Sequence, residues 1–357
     1  MNSKKPINSI VVFGTNWVGD AVMTIPALRE LRRIFPDAAI SLYTRSWAEG
    51  IFSNASFIDD IIAFDKGKSR ITNMLDQTQF LREGRFDLAI LLPNSFQTAF
   101  TAAYSRIPRR IGYNKDLRGL LLTDPLAVPE WKNKRHEVFY YLNLVAEVEK
   151  RLLGTDTVLQ SEPDTTLEIS DERRREARSI LEAAGVDLSK TVVALGVGST
   201  NSRAKRWPAL QYAELNDRLQ SELNASVVLL GSLDEIEISA EVSSLAQQKP
   251  HILTGSTDLA QAAAILSEVD LLISNDMGLA HLAPAVGTRT LVIFGPTNSE
   301  TTRPFSRNAA IIREPVECSP CMLRDCPIDH RCMTRISVDE VSKMAVQYLV
   351  NEKVVDV

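Results

Sequence analysis

A strand-then-helix alternation runs through this chain twice, and such an alternation builds a parallel sheet with helices on both faces. In the first run SIVVFGT (9–15) reads as a strand, and an amphipathic helix follows from about Val18 to Phe35, ended by Pro36. AISLYTR is the next strand, then a short helix near Trp47, the strand DIIAFD and a polar helix over about 70–84. FDLAILLPN is a strand, SFQTAFTAAYSR a helix, and 136–153 a strong helix. Residues 154–168 are polar, carry Pro163 and show no periodicity, so they read as a linker. After the helix DERRREARSILEAAG the alternation restarts: TVVALGVGS, a helix over 208–223, ASVVLLGS, a helix over 233–247, HILTG and a helix over 258–267. The stretch 269–297 adds strand, helix, strand. The expected architecture is therefore α/β, two Rossmann-like domains over 1–165 and 166–336. A last helix near 337–351, within the tail 337–357, is free to pack back on the first domain. Ligands of such sheets bind at the carboxyl ends of the strands, and the cleft between two domains is the expected site.

A chain of 357 residues suits two domains of ordinary size. With 45% hydrophobic and 24% charged residues it reads as globular, and a net charge of -5 argues against general nucleic-acid binding. No run approaches the roughly 18 apolar residues of a membrane span. Residues 1–8 are short and polar and lack the apolar core of a signal peptide, so a cytoplasmic location is expected, with surface attachment to a membrane left open.

Four segments carry candidate chemistry. In VDLLISNDMGLAHLAPAVG, Ser274-Asn275-Asp276 reads as helix-capping side chains, with Gly278 in the first turn and His281 one turn in. A helix N-terminus with outward N–H groups suits a phosphate. Taken alone His281 reads as a satisfied structural histidine. In FGTNWVGDAVM the glycines Gly14 and Gly19 are five apart, which fits neither the dinucleotide fingerprint nor a Walker loop. Asp20 there is either a dipole-stabilising helix-start acid or a general base. In GVGSTNSRAKRWP, Ser199 and Thr200 offer hydroxyls and Lys205 and Arg206 positive charge, a set able to neutralise a diphosphate leaving group. The alternative is a solvated loop with Trp207-Pro208 opening the next helix. In VVLLGSLDEIE, Gly231 and Ser232 follow a strand at the end that lines a nucleotide pocket, and Glu235 reads as a solvated helix-start acid, with contact to a ribose or base as the alternative.

Two further clusters stand apart. Between Arg106 and Arg135 lie eight cations and three anions, among them Arg109, Arg110 and Arg118. The plain reading is a solvated face, and the functional one is contact with a phosphate-bearing acceptor or an anionic membrane. All four cysteines, Cys318, Cys321, Cys326 and Cys332, fall in CSPCMLRDCPIDHRC, which excludes a disulfide scaffold. Clustered thiolates suit a soft metal such as zinc or an iron–sulfur group, although the spacing matches no pair-plus-pair pattern. The alternative is a compact loop of buried or hydrogen-bonded thiols.

The segments NWVGDAVM (16–23), KRWP (205–208) and SNDMGLAH (274–281) occur in the order found in the ADP-heptose:lipopolysaccharide heptosyltransferases, and the chain resembles that family over roughly 10–350, most closely its type II subgroup. The resemblance implies a GT-B architecture and an inverting transfer of L-glycero-D-manno-heptose from ADP-heptose to the first heptose of the lipopolysaccharide inner core, a Kdo2-lipid A bearing heptose. It implies Asp20 as catalytic base and Lys205 at the donor phosphate, with Asp276, Gly278, His281, Ser199 and Thr200 on the donor, to which Gly231 and Ser232 are added from their strand end. Arg109, Arg110 and Arg118 are assigned loosely to the acceptor, and peripheral contact with the inner membrane follows from the lipid-linked acceptor. No Asp-x-Asp pair occurs in the chain, so no required divalent ion is expected, and the cysteines remain a candidate structural metal site. The other readings are a type I or related transferase with another acceptor, a nucleotide-sugar epimerase of similar two-domain fold, and a non-catalytic nucleotide-sugar module.

Overall fold

The computed structural model describes residues 6–64 and 70–350. Residues 1–5 of the polar N-terminus, Asp65 at the end of the third expected strand, and 351–357 of the expected tail lie outside the described residues. Contacts divide the chain into two compact units, Met1–Thr165 and Thr166–Val357.

The first unit contains β1 (Ser9–Phe13), α1 (Val18–Ile34), β2 (Ala39–Arg45), α2 (Ser46–Phe52), β3 (Asp60–Phe64), α3 (Arg70–Glu83), β4 (Leu88–Leu91), α4 (Phe96–Tyr104), β5 (Arg109–Tyr113), β6 (Asp124–Leu126) and α5 (Glu137–Leu152). Its parallel sheet runs β3-β2-β1-β4-β5-β6, so the order of winding reverses between β1 and β4. The central strands are apolar along their whole length because helices cover both faces; β1 and β4 present Ile10 to Phe13 and Leu88 to Leu91, all buried. β5 and β6 fall inside the stretch read above as a basic face. Arginines at the start of RRIGY and a proline in a three-residue strand, DPL, hide both from a hydrophobic-pattern reading.

The second unit contains α6 (Asp171–Ala183), β7 (Val192–Gly196), α7 (Ala209–Leu223), β8 (Ser226–Leu229), α8 (Ile236–Leu245), β9 (His251–Ile252), α9 (Leu259–Leu266), β10 (Leu271–Asn275), α10 (Gly278–Ala285), β11 (Arg289–Phe294), α11 (Ser299–Thr302), β12 (Ala309–Arg313), α12 (Arg331–Thr334) and α13 (Val338–Val350). Its parallel sheet runs β12-β11-β10-β7-β8-β9, the same winding as the first sheet, with the reversal between β7 and β10. The last helix packs within the second unit. The buried face of α13, Val338, Val341, Ala345 and Tyr348, belongs to the core of the second unit together with Trp207, Tyr212 and Leu219. An amphipathic stripe finds the nearest apolar surface, and α7 with β10 and β11 supplies it.

The linker reading of 154–168 also gains a definite anchor. The Glu149 carboxylate, buried at the end of α5, accepts hydrogen bonds from the amides of Thr157 (2.7 Å) and Val158 (3.0 Å) and from the hydroxyls of Thr155 (2.8 Å) and Thr157 (2.6 Å). Burial pushes this carboxyl up, but four donors favour the charged form and hold it at about 2.

Candidate active site

In each sheet the loops that leave the two strands flanking the reversal splay apart, and that gap at the carboxyl ends is where a doubly wound sheet takes its ligand. The candidate residues of the second unit follow β7 and β10, with Gly231 and Ser232 after the adjacent β8.

Asn275 organises this end. The sequence suggested a helix cap, but Ser274 and Asn275 are the last residues of β10, and α10 begins after Met277 with no side-chain cap. The fully buried Asn275 instead ties the loop after β7. Its Nδ2 donates to Val197 O (2.9 Å) and Gly198 O (3.0 Å), and its Oδ1 accepts from Trp207 N (2.9 Å) and Tyr212 Oη (3.1 Å). A polar side chain at the end of an apolar strand has to be satisfied, and here satisfaction fixes the segment that carries Lys205.

Lys205 meets Asp276. Its Nζ lies 2.7 Å from Asp276 Oδ2 and 3.3 Å from Asp276 O, and Thr297 Oγ1 donates to the same Oδ2 at 2.7 Å. The Asp276 side chain is buried while that of Lys205 keeps part of its surface in solvent, so the ammonium is held but reachable. Gly278 is the first residue of α10, and the backbone N–H groups of its first turn lack a side-chain acceptor from the cap position. His281 is buried one turn further along.

Glu235 corrects the sequence reading. Far from being solvated, it is 2% exposed. Its Oε2 accepts from Ser232 N (2.8 Å) and Ser232 Oγ (3.1 Å), while its Oε1 is buried with no hydrogen-bond partner. Burial raises the carboxyl above its ordinary value, against the Ser232 hydrogen bonds and the nearby Arg206 charge. A Cβ at Gly198 would come within 2.2 Å of Glu235 Oε1, and one at Gly231 within 2.8 Å of Oε2, so both strand-end glycines are required by this carboxylate. The Ser232-x-x-Glu235 spacing is a capping-box signal in the sequence, but its burial depends on Gly198, a long-range partner that local spacing does not reveal. Thr200 Oγ1 lies 3.4 Å from Ser232 Oγ. Ser199 is buried, and its carbonyl accepts from Arg206 Nη2 (3.1 Å) and Nε (3.3 Å), so Arg206 braces the loop.

In the first unit Asp20 lies in the first turn of α1, after the β1 strand end. Packing of α1 on α5 brings Tyr141 to it, and the buried Tyr141 hydroxyl donates to Asp20 Oδ1 at 3.1 Å. Burial, and then the Asp20 charge, push the Tyr141 hydroxyl well above its ordinary value, so it stays a proton donor. Nothing in the sequence marked Tyr141 apart from other apolar-face residues of α5.

The three arginines expected on the acceptor are committed to the fold. Arg118 is 0% exposed; its Nε donates to Tyr113 O (2.7 Å), its Nη2 to Asn94 Oδ1 (3.1 Å) and its Nη1 to Pro93 O. Arg109 pairs with Asp124 at 3.1 Å, and Arg110 Nε donates to Leu121 O at 2.8 Å. Arg118 is thereby held inside the fold, so the solvated-face reading does not describe it.

A metal at the cysteine segment is not supported by the arrangement of its side chains. Cys318 and Cys321 are exposed, Cys326 half-buried and Cys332 buried. Among the described residues no three His, Cys, Asp or Glu side chains are grouped to hold an ion. Burial, then the neighbouring sulfurs, push the Cys332 thiol up to about 11.

Comparison with known proteins bears on both units. Residues 74–331 match the profile of glycosyltransferase family 9 (heptosyltransferase). Lipopolysaccharide heptosyltransferase 2 of Salmonella typhimurium is 29% identical over 317 residues, covering 85% of this chain and 87% of that protein. Among solved structures, the ADP-heptose lps heptosyltransferase II of E. coli superposes with a TM-score of 0.82 at 26% identity, over 96% of this chain and 98% of that one. A glycosyl transferase family 9 protein from Veillonella parvula superposes with a TM-score of 0.84 at 25% identity, over 98% and 99%. The fold is α/β of the GT-B type. With the family profile covering most of its length, the chain belongs to glycosyltransferase family 9, the heptosyltransferases.

Proposed function

We propose that the protein transfers L-glycero-D-manno-heptose from ADP-heptose to the first heptose of the lipopolysaccharide inner core, with inversion at the anomeric carbon. The observation that carries the donor half is the group after β7, β8 and β10: a partly exposed lysine held at 2.7 Å from Asp276, the open first turn of α10, and a buried carboxylate oxygen without a partner on Glu235. The first two suit a diphosphate, and the third suits a hydroxyl donor such as a ribose. Ser199, Thr200, Gly231, Ser232 and His281 complete this donor surface.

Asp20 is the general base in this reading. It takes the proton of the acceptor hydroxyl, whose oxygen attacks the anomeric carbon from the face opposite ADP. The transition state has oxocarbenium character, and charge grows on the departing diphosphate. Lys205 and the α10 amides stabilise that charge, the term expected to dominate the rate. Asp276 positions Lys205 and takes no proton. No step calls on a divalent ion.

The acceptor is lipid-linked, and contact with the cytoplasmic face of an inner membrane belongs to the same proposal. No helix among the described residues is long and apolar enough to cross a membrane. The first unit does expose an apolar ledge: Phe96, Phe100 and Tyr104 stack along α4, and beside it Leu117 and Leu120 are 89% and 97% exposed. Exposed Arg106 and Lys115 adjoin it, matching anionic headgroups.

The test is an acceptor assay with purified protein, ADP-heptose and truncated lipopolysaccharides, with and without chelator. Heptose added to a heptose-terminated core, chelator or not, is the expected result. Addition only to a heptose-free core points to the type I reaction. Donor loss without a glycoside points to an epimerase, and binding without turnover to a non-catalytic module.

A further inference from the structure

The cysteine-rich segment, which carries no role in the reading above, folds against the turn that holds Lys205. Ala204, the residue before Lys205, is gripped from both sides of its peptide: Ala204 N donates to Arg324 O (2.9 Å), and His330 Nε2 donates to Ala204 O (2.6 Å). Ser202 Oγ reaches Leu323 O (3.3 Å) and Arg324 O (3.2 Å), and Arg203 pairs with Asp325 at 2.7 Å. The same segment reaches the other side of the Lys205–Asp276 pair. Ser319 Oγ donates to Gly295 O (2.6 Å) and Met322 N to Pro296 O (2.8 Å), next to Thr297, whose hydroxyl holds Asp276.

We propose that the 318–332 segment is a brace that sets the Lys205 ammonium for the donor diphosphate, with His330 as its positioning residue. Resting on the donor reading, this assigns the segment a purpose that needs no metal. Lysine ends a flexible four-carbon stem, so its charge is useful at a fixed point only if its backbone and its counterion are both fixed. Asn275 fixes the start of the loop and Asp276 the tip of the side chain; the peptide just before Lys205 is fixed by the brace. His330 does not touch the donor and acts only through Ala204.

The test compares His330→Ala, His330→Gln and Ser202→Ala in the full chain, by amide hydrogen exchange, donor kinetics and thermal unfolding. Glutamine places an amide N–H where the imidazole Nε2 stood. His330→Ala is expected to raise exchange across 202–206 and lower kcat/KM for ADP-heptose about tenfold, with His330→Gln recovering most of both. Ser202→Ala is expected to move both in the same direction by a smaller factor, and serves if His330→Ala fails to fold. Unchanged exchange at 202–206 in His330→Ala, or in Ser202→Ala should the first not fold, overturns the brace whatever the donor proves to be. Equal losses in the alanine and glutamine variants that track melting temperature overturn it as well. If the wild type binds no ADP and turns over no donor, the donor reading falls, while exchange still reports on the brace.

Discussion

Lys205 and Asp276 hold each other at 2.7 Å, and Thr297 shares the same carboxylate oxygen. The pair has two consequences that separate under mutation. Lys205→Ala removes the leaving-group cation, so turnover is expected to fall about 10²- to 10³-fold. It also leaves a buried carboxylate with only a hydroxyl partner, so stability is expected to fall by about 1–3 kcal/mol. Adding Asp276→Asn to Lys205→Ala is expected to restore most of the stability and none of the turnover. Thermal unfolding and steady-state kinetics on the two variants decide this; turnover that returns with stability would remove Lys205 from the chemistry.

Tyr141 is expected to tune and aim Asp20. Its hydroxyl favours the ionised carboxylate, the form that acts as base. Tyr141→Phe keeps the packing and removes that donor. The acid limb of the kcat/KM profile is expected to move to higher pH, and turnover near neutrality to fall about tenfold. A profile that superposes on the wild type would show that the contact only packs α5 on α1.

Glu235 is expected to trade stability for binding. Its carboxyl is raised above the unfolded value, so ionisation weakens the fold. The wild type is then expected to gain stability as pH falls through the folded pKa toward the unfolded one, about 4.5. Glu235→Gln removes that pH dependence but presents an amide N–H₂ where an acceptor stood, and ADP affinity is expected to drop about tenfold. Calorimetric titration with ADP and denaturant melts across pH check the two halves.

Glu149 works with the opposite sign. Its carboxyl is depressed to about 2, so its contribution is fully present above the unfolded value and lost as pH falls through about 2. Glu149→Gln is expected to destabilise the first unit by up to about 3 kcal/mol at neutral pH, less any water screening, and the gap to wild type is expected to close below pH 4. A gap independent of pH would contradict the assignment.

Much of the architecture was legible because strands buried on both faces must be apolar: Ile10 to Phe13, Leu88 to Leu91 and Leu271 to Ile273 announce the two sheets. β5 was hidden by arginines whose guanidinium groups fold back onto backbone and Asp124, and β6 by its three-residue length. The site residues were read as residue types near strand ends, and Lys205 and Asp276 do meet. What sequence could not supply was long-range. Asn275 passed for a cap although its partners lie in the loop after β7 and at Trp207 and Tyr212. Glu235 passed for a solvated acid although Gly198 encloses it. Arg118 passed for part of a basic face although Tyr113, Pro93 and Asn94 take it inside.

The most direct measurement is turnover of Asp20→Asn with ADP-heptose and a heptose-terminated core, beside its affinity for ADP. Asparagine keeps the shape and cannot accept the proton. Turnover is expected to fall by about 10³-fold or more, with ADP affinity within about threefold of wild type. Near-normal turnover in that variant would contradict Asp20 as the base and with it the proposed mechanism.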